Sequence, residues 1–383
     1  MKSVKRRRLA PCGVLAGLIA LIAVLVFLPL AVMNIGGHTS VDHTELPPTT
    51  VGLPNPKVVP PLRENISMAE FLRFIPSTVV NTWKERDYLI VFGIPSVDIH
   101  DWRRRRYLQR TTCWQFPGVA RRANDFTGAM LVLYVLARHP SQGYEYSTAL
   151  MKEAEEWHDI ISLSIKEGSP SSNKTVMGLG FWGLETEVGM SRKTYLWFEL
   201  ALHLFPNVSY IAKGDNDMFL RVPQFLVDLR TLPRNGVYWG SLGLIEVPVV
   251  FPLMVGFCVT ISVDVVKRMM KYESIRRLVY LPFNTALEAE YRALNMDHED
   301  NMIGRIIHEI KYPELLLVRE GRCSFHDLHK GARKHPLSNA SVVIHHIKEK
   351  EYKKLMIYFS KNMTIVPRTY SKMPRSIWFT CLK

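Results

Sequence analysis

Two aspartates two positions apart follow an apolar run near the middle of the chain. Residues 208–211 predict a buried strand, and Lys213, Asp215, Asn216 and Asp217 come soon after it. In an extended chain, residues two apart point to the same side, so both carboxylates would face a divalent cation that bridges a diphosphate. Aspartate and asparagine are also common in turns and helix caps. The segment therefore predicts either a metal-binding pair or an ordinary turn.

A basic segment, residues 101–114, follows another predicted strand, residues 88–93. Arg106 and Arg110 are four positions apart, so they share one face of a helix. Guanidinium groups match the geometry of phosphate oxygens, and this face would therefore hold a diphosphate or a nucleotide. A solvated basic helix face is the alternative, and charge alone favours it.

Two further positions carry chemistry that depends on their neighbours. Asp300 precedes a stripe of apolar residues at helical spacing, which are Met302, Ile303, Ile306, Ile307 and Ile310. Its ordinary role would be to cap that helix, and capping is compatible with catalysis. His346 ends the β-like run 342–346, where it would be either a metal ligand or a histidine with no ligand role.

Short apolar runs alternate with helical patterns along the rest of the chain. The predicted strands are residues 88–93, 130–136, 160–163 and 208–211, and helical spacing covers residues 195–205 and 264–269. Such alternation predicts an α/β fold with a largely parallel sheet covered by helices. Ligands in these folds bind at the carboxyl ends of the strands.

The amino end has the pattern of a membrane anchor. Residues 1–8 contain five basic side chains, and residues 9–33 are apolar and long enough to cross a bilayer as one helix. The basic tail should stay cytoplasmic, which leaves the rest of the chain in the secretory lumen. A cleaved signal peptide is the alternative. Residues 34–86, with six prolines between positions 47 and 61, predict an extended stem before a luminal domain at residues 87–383.

Charge, sequons and cysteines agree with a luminal location. Five of the +14 formal charges belong to the tail, so 14 − 5 leaves +9 for the remainder, which argues against nucleic-acid binding. Five Asn-x-Ser/Thr sequons start at Asn65, Asn173, Asn207, Asn339 and Asn362. Four cysteines outside the anchor, Cys113, Cys258, Cys323 and Cys381, allow three pairings or free buried thiols.

Taken together and in order, these segments resemble glycosyltransferase family 31, the inverting β-1,3-galactosyl and N-acetylglucosaminyl transferases, and its trypanosomal branch most closely. The resemblance covers residues 88–346. The family's arginine motif is matched by Arg105, Arg106, Arg110, Thr112, Cys113 and Trp114, and its acidic run by Lys213, Asp215, Asn216 and Asp217. Its later elements are matched by Pro252, Gly256, Val259 and Ser262, and by Glu299, Asp300 and Gly304. Asn216 replaces the family's middle aspartate, and Val259 replaces an aromatic residue.

The resemblance implies a GT-A fold, with a Rossmann-like mixed sheet, that binds a UDP-sugar with Mn²⁺ in the Golgi lumen. It implies that Asp300 is the catalytic base and that Asp217 and His346 bind the metal. The nucleotide-sugar would contact Arg106, Arg110, Lys213, Asp215 and Asn216. The expected reaction transfers galactose or N-acetylglucosamine from UDP to a hydroxyl of a glycan acceptor. The alternative is a transferase-like protein without activity that serves as a Golgi partner subunit or lectin. Donor, acceptor and oligomeric state stay open.

Overall fold

The computed structural model of the chain describes residues 68–175, 181–246, 249–360 and 365–381. The predicted basic tail (1–8), membrane helix (9–33) and most of the stem lie outside the described residues. Within these described ranges, no helix is both long enough and apolar enough to cross a bilayer.

The described chain alternates helices and strands, as predicted. The helices are α1 (Met68–Phe71), α2 (Ser77–Glu85), α3 (His100–Arg110), α4 (Thr148–Trp157), α5 (Leu184–Leu204), α6 (Val222–Thr231), α7 (Val263–Met269), α8 (Glu273–Tyr280), α9 (Glu288–Ala293), α10 (Glu299–Ile310) and α11 (Glu349–Ser360). The strands are β1 (Ile90–Pro95), β2 (Val119–Ala120), β3 (Met130–Arg138), β4 (Ile160–Lys166), β5 (Ser172–Thr175), β6 (Phe181–Trp182), β7 (Tyr210–Gly214), β8 (Phe219–Leu220), β9 (Val237–Ile245), β10 (Phe251–Ser262), β11 (Leu316–Arg319), β12 (Phe325–Asp327), β13 (Val343–His345), β14 (Tyr370–Met373) and β15 (Ser376–Phe379).

A mixed sheet of ten of these strands forms the centre of the fold. Its order is β14-β15-β11-β9-β10-β7-β1-β3-β2, and β4 also pairs with β3. Strands β7, β1, β3 and β4 run parallel to one another, whereas β10 is antiparallel to both β7 and β9. The predicted α/β class and a large sheet covered by helices are therefore confirmed.

Apolar side chains from helices on both sides cover the sheet. Residues of α5, α7, α8 and α10 pack in one core cluster, and residues of α3, α6 and α11 pack in the other. Tyr195, Phe198 and Phe205 of the predicted helical segment 195–205 are buried. The indole N–H of Trp197 donates to the carbonyl of Ala212 on β7 at 2.9 Å. This contact ties the longest described helix to the strand that carries the acidic segment.

A second, three-stranded sheet lies beside the end of β7. Strand β13 pairs with β8 on one side and with β12 on the other. Because β8 begins two residues after Asp217, this sheet brings the end of β13 to the acidic segment. The carboxyl end of β12 arrives at the same place, since Asp327 is directly opposite His345 in the register.

The stem ends earlier than the sequence predicts. Residues 68–86 were expected to be part of the stem, yet they contain α1 and α2 and pack on the core. Trp83 is only 1% exposed and contacts the rings of Phe126 and Phe205. The predicted boundary at residue 87 is therefore too late, because burial of this aromatic cluster requires the preceding helices.

The cysteines form one disulfide among the described residues, between Cys323 and Cys381. It joins the segment after β11 to the end of β15. Cys113 and Cys258 are buried free thiols, and burial raises the pKa of the Cys113 thiol to about 12. Of the alternatives that the sequence leaves open, the structure thus combines one pairing with two buried thiols.

Candidate functional site

The acidic segment forms a tightly held loop at the carboxyl end of β7. The backbone N–H of Asp215 donates to the carbonyl of Phe257 at 3.2 Å, and the Tyr352 hydroxyl donates to the carbonyl of Asn216 at 2.9 Å. The backbone N–H of Ile347 donates to the carbonyl of Asp217 at 3.3 Å. Three elements, β10, α11 and the turn after β13, therefore hold the loop in place.

Lys213 organises the carboxylates around this loop. Its ammonium group is buried and donates to Asp215 Oδ1 at 2.6 Å, to the carbonyl of Gly256 at 2.8 Å and to Glu299 Oε1 at 2.9 Å. Burial alone would lower the pKa of Lys213, but the carboxylates of Asp215 and Glu299 raise it above its usual value. Lys213 is thus a fixed cation, and its three N–H groups are all used within the protein.

Asp217 and His345 face each other with unused ligand atoms. Asp217 Oδ1 lies 3.1 Å from His345 Nε2, and both side chains are more than nine-tenths buried. Among the residues that the structure describes, neither atom has a hydrogen-bond partner. One ligand atom each from Asp217, His345 and His346 lies within 4.8 Å of the others. A buried carboxylate and two imidazoles at this spacing are suitable ligands for a divalent transition metal.

The charges around His345 also fit a cation site. His345 Nε2 lies 3.4 Å from Asp215 Oδ2, and its Nδ1 lies 2.8 Å from Asp327 Oδ1. Burial alone would lower the pKa of His345, but the surrounding carboxylates raise it well above its usual value. Arg105 approaches the same cluster, with its Nη1 3.5 Å from Asp217 Oδ2. The cluster therefore concentrates negative charge that a metal ion would balance.

Asp300 lies in the first turn of α10 and differs from the other carboxylates. Its Oδ2 accepts the backbone N–H of Gly256 at 3.2 Å, and its Oδ1 accepts that of Asn301 at 2.8 Å. Burial, together with the neighbouring Glu299 carboxylate, raises the pKa of Asp300 from 3.8 to about 6. His298, not Asp300, occupies the N-cap position. Asp300 thus binds one free amide of the helix and still presents a carboxyl group of raised pKa.

Gly256 allows Asp300 and Lys213 to approach β10 closely. A Cβ atom at this position would lie 3.2 Å from both Asp300 Cβ and Lys213 Nζ, and 3.3 Å from Glu299 Oε1. Contacts this short are tighter than ordinary van der Waals packing. The glycine therefore keeps the three charged side chains together at one point of the sheet.

These groups border a cavity of about 850 Å³ at the carboxyl ends of β1 and β7. Its polar lining includes Lys213, Asp215, Asn216, Glu299, Asp300 and His345. Its apolar lining includes Pro95, Val97, Ile99, Trp102, Val255 and Phe257. The volume is within the range of small-molecule sites, and the position is where open α/β sheets bind ligands.

The structure brings most of the predicted site residues together. Lys213, Asp215, Asn216 and Asp300 line the cavity, and Asn216 contributes a buried Nδ2 atom that has no hydrogen-bond partner among the described residues. Asp217 and His346 lie next to His345 in a group whose atoms are close enough together to hold a metal ion. The acidic segment therefore lies where the sequence predicts, at the end of a buried strand and beside a cavity, and its role as a metal-binding pair stays a prediction.

Arg106 and Arg110 are elsewhere, so the nucleotide-binding role predicted for them has to be withdrawn. Arg106 has no exposed surface, and its guanidinium binds both oxygens of Glu153 at 2.7 Å. It also donates to Ser96 Oγ at 2.7 Å. Arg110 is 3% exposed and binds both oxygens of Asp159. Neither side chain lines the cavity, because the shared face of α3 is turned into the protein.

Sequence reasoning missed several residues of the site. His345 rather than His346 lines the cavity, although the pair stands together in the sequence. Glu299 matched the family's motif without an assigned role, yet it binds Lys213 and lines the same cavity. Arg105 is in the arginine motif but had no assigned role. Asp327 belongs to none of the sequence motifs or patterns. Its position in the site follows from the register that pairs β12 with β13.

No protein-family model matches this chain, and a search of curated proteins gives no match either. The resemblance to glycosyltransferase family 31 therefore stays a prediction from the motifs.

Proposed function

We propose that this chain is an inverting glycosyltransferase of GT-A type. It transfers galactose or N-acetylglucosamine from a UDP-sugar to a glycan hydroxyl, in β-1,3 linkage, as a type II membrane protein of the Golgi. The main support is a pair of buried atoms, Asp217 Oδ1 and His345 Nε2, which lie 3.1 Å apart and make no hydrogen bond among the described residues. They lie next to a cavity that Asp300 also lines. A metal-binding pair beside a cavity that also contains a carboxyl group of raised pKa suits transfer from a diphosphate donor.

The ligand atoms fit Mn²⁺ as the metal. Carboxylate oxygens suit Mn²⁺ and imidazole nitrogens suit several divalent transition metals, and Asp217, His345 and His346 would supply these ligands. When bound, the metal would offset the negative charge that develops on the departing diphosphate. Asn216 Nδ2, a buried donor without a partner among the described residues, would bind an oxygen of the nucleotide-sugar.

Asp300 is the base in this proposal. The oxygen of the acceptor hydroxyl forms a bond to the anomeric carbon while its proton passes to the Asp300 carboxylate. The electron pair of the breaking carbon–oxygen bond leaves with UDP, so the configuration at that carbon inverts. A carboxyl group with a pKa of about 6 is mostly ionised at pH 7 and close to the pKa that general-base catalysis favours. Lys213 holds Asp215 and Glu299 in place and takes no part in proton transfer.

The test uses the full chain purified in detergent and titrated with UDP in the presence and absence of Mn²⁺. Asp217→Asn should abolish Mn²⁺-dependent UDP binding, because it removes a charged ligand from a buried site. Asp101→Asn is the matched control, since Asp101 lines the same cavity but has a 57% exposed side chain. It should bind UDP like the unmodified chain.

Two outcomes would change the conclusion. Mn²⁺-dependent UDP binding that persists in folded Asp217→Asn protein would place the metal elsewhere. Normal UDP binding by the unmodified chain, with neither hydrolysis nor transfer from UDP-galactose or UDP-N-acetylglucosamine to glycans, would favour a lectin or an inactive partner subunit.

A further inference from the structure

A buried carboxylate behind the two histidines has no role in the mechanism described so far. Asp327 is 5% exposed and ends β12, directly opposite His345 of β13. Its Oδ1 lies 2.8 Å from His345 Nδ1 and 3.1 Å from His346 Nδ1. One carboxylate oxygen therefore faces the same ring nitrogen of both imidazoles.

These contacts determine which nitrogen of each ring carries a proton. A carboxylate accepts hydrogen bonds, so Nδ1 of His345 must be the donor and Nε2 is the nitrogen left for a metal. Nδ1 of His346 also faces the carbonyl of Lys330 at 2.9 Å. With two acceptors in front of it, this Nδ1 also carries a proton. In metal sites, a hydrogen bond of this kind orients the imidazole and raises its basicity as a ligand.

The backbone around Asp327 fixes the carboxylate itself. Its N–H donates to the carbonyl of Arg333 at 3.2 Å, and its carbonyl accepts the N–H of His335 at 3.0 Å. Gly331 closes the loop with a φ of +110°, and a Cβ there would lie 2.2 Å from Asp327 Oδ2. Only glycine adopts this conformation freely and leaves room for the carboxylate.

The turn after β13 also helps to bring both imidazole rings to Asp327. His346 has a φ of +55°, which is uncommon for a residue other than glycine and costs free energy. This turn brings the His346 ring to 3.9 Å from the His345 ring, measured between centroids. An extended residue at this position would point to the opposite side from His345. The strained backbone therefore lets one carboxylate contact both rings.

We propose that Asp327 is the positioning residue of the metal site, holding His345 with Nε2 toward Asp217 and orienting His346 beside it. The inference rests on the proposed function, because it assumes that these histidines bind a divalent cation. Asp327 itself contacts neither the metal nor the substrate in this arrangement. Its effect is on metal affinity and not on the chemical step.

The experiment measures Mn²⁺ affinity directly, from the electron paramagnetic resonance signal of free Mn²⁺, on the full chain in detergent. Asp327→Ala should raise the Mn²⁺ Kd about 10- to 100-fold, the usual effect of losing a partner of a metal-binding histidine. Asp327→Asn should have a smaller effect, because the amide oxygen still accepts the hydrogen bond but lacks the charge. The Mn²⁺ concentration for half-maximal activity should rise in the same order, with kcat at saturating Mn²⁺ close to that of the unmodified chain.

His326→Gln is the matched control. His326 is buried on the same strand and bonds Ser341 through Nε2 at 2.8 Å, and it is not in the metal-ligand group. Its replacement disturbs the small sheet without changing the partner of His345. Melting curves measured in the presence of a chelator show whether each variant folds. If Asp327→Ala does not fold, Asp327→Asn alone tests the proposal.

The outcomes separate the two proposals. If the unmodified chain does not bind Mn²⁺, the metal in the proposed function is wrong and this inference is wrong with it. If the unmodified chain binds Mn²⁺, and both Asp327→Asn and Asp327→Ala bind it as tightly as the unmodified chain does, only the positioning role is wrong. An equal loss of affinity in His326→Gln would also refute that role, since the effect would then come from the stability of the sheet.

Discussion

Replacing Asp300 by asparagine should make the protein more stable and much less active. Burial and the neighbouring Glu299 raise the pKa of Asp300 from 3.8 to about 6, which corresponds to about 3 kcal/mol in favour of the protonated form. Because the folded-state pKa is the higher one, the stabilising contribution of Asp300 is fully present below about pH 4 and is lost as the pH rises through about 6. At pH 7 the ionised carboxylate therefore lowers the free energy of unfolding.

Asparagine removes the charge and nearly keeps the shape. Its single amide oxygen can keep one of the two hydrogen bonds from the backbone amides of Gly256 and Asn301, and losing the other costs about 1 kcal/mol. The expected net gain at pH 7 is about 2 kcal/mol, which raises the melting temperature by several degrees. The gain should shrink toward pH 4, where the unmodified carboxyl is already protonated. Turnover should fall by about 10² to 10⁴, the usual contribution of a general base.

Glu299→Gln is the control for this test, because it removes a neighbouring charge and should change the stability in the opposite direction. Glu299 binds the buried Lys213 at 2.9 Å, so removing its charge should lower the melting temperature. The two neighbouring substitutions should thus shift stability in opposite directions. Melting curves and initial rates of UDP-sugar transfer, both measured at pH 7 and at lower pH, are sufficient. Normal turnover in Asp300→Asn would refute the role of the base, and a fall in its melting temperature like that of Glu299→Gln would refute the electrostatic argument.

Two other predictions concern the arginine motif and the topology. Arg106→Met should lower the free energy of unfolding by about 3 kcal/mol, because the buried Glu153 carboxylate then loses the positive charge that Arg106 supplies. The UDP affinity of the folded protein, measured by calorimetry, should not change. A selective loss of that affinity would restore the nucleotide-binding role. Asn207 is exposed, so a luminal chain should carry a glycan there. Endoglycosidase treatment should increase the gel mobility of Asn207→Gln less than that of the unmodified chain. If the treatment does not change the mobility of the unmodified chain, the luminal location is wrong.

The sequence predicted the elements of the site better than the direction of their side chains. Helical spacing shows that Arg106 and Arg110 share a face of α3, but it does not show whether that face meets solvent or the protein. Their partners, Glu153 on α4 and Asp159 just after it, are more than 40 positions away. Such a contact depends on how α4 packs beside α3, which no local pattern contains.

The histidine pair shows a second limit. Alternation along a strand separates His345 from His346, yet both rings contact Asp327 because the backbone turns at His346 with a positive φ. A positive φ is rarely predictable at a residue that is not glycine, asparagine or aspartate. Asp327 itself depends on the pairing of β12 with β13, which is a contact between segments 18 residues apart. Register of this kind is determined by packing and not by either strand alone.

The three carboxylates around Lys213 and Gly256 have different environments, and this difference is why the proposed mechanism uses Asp300 as the base. Asp215 is bound to Lys213 at 2.6 Å and lies 3.4 Å from His345. Burial alone would raise the pKa of Asp215, but Lys213 and His345 lower it well below its usual range. A carboxylate so strongly stabilised is a weak base. Glu299 is held by the same ammonium group. Among the residues that the structure describes, Asp300 accepts hydrogen bonds from the backbone amides of Gly256 and Asn301, and its pKa is raised instead, to about 6. Environments that push neighbouring pKa values apart are the arrangement from which acid and base roles can be assigned, and they make Asp300 the carboxylate that can take a proton near neutral pH.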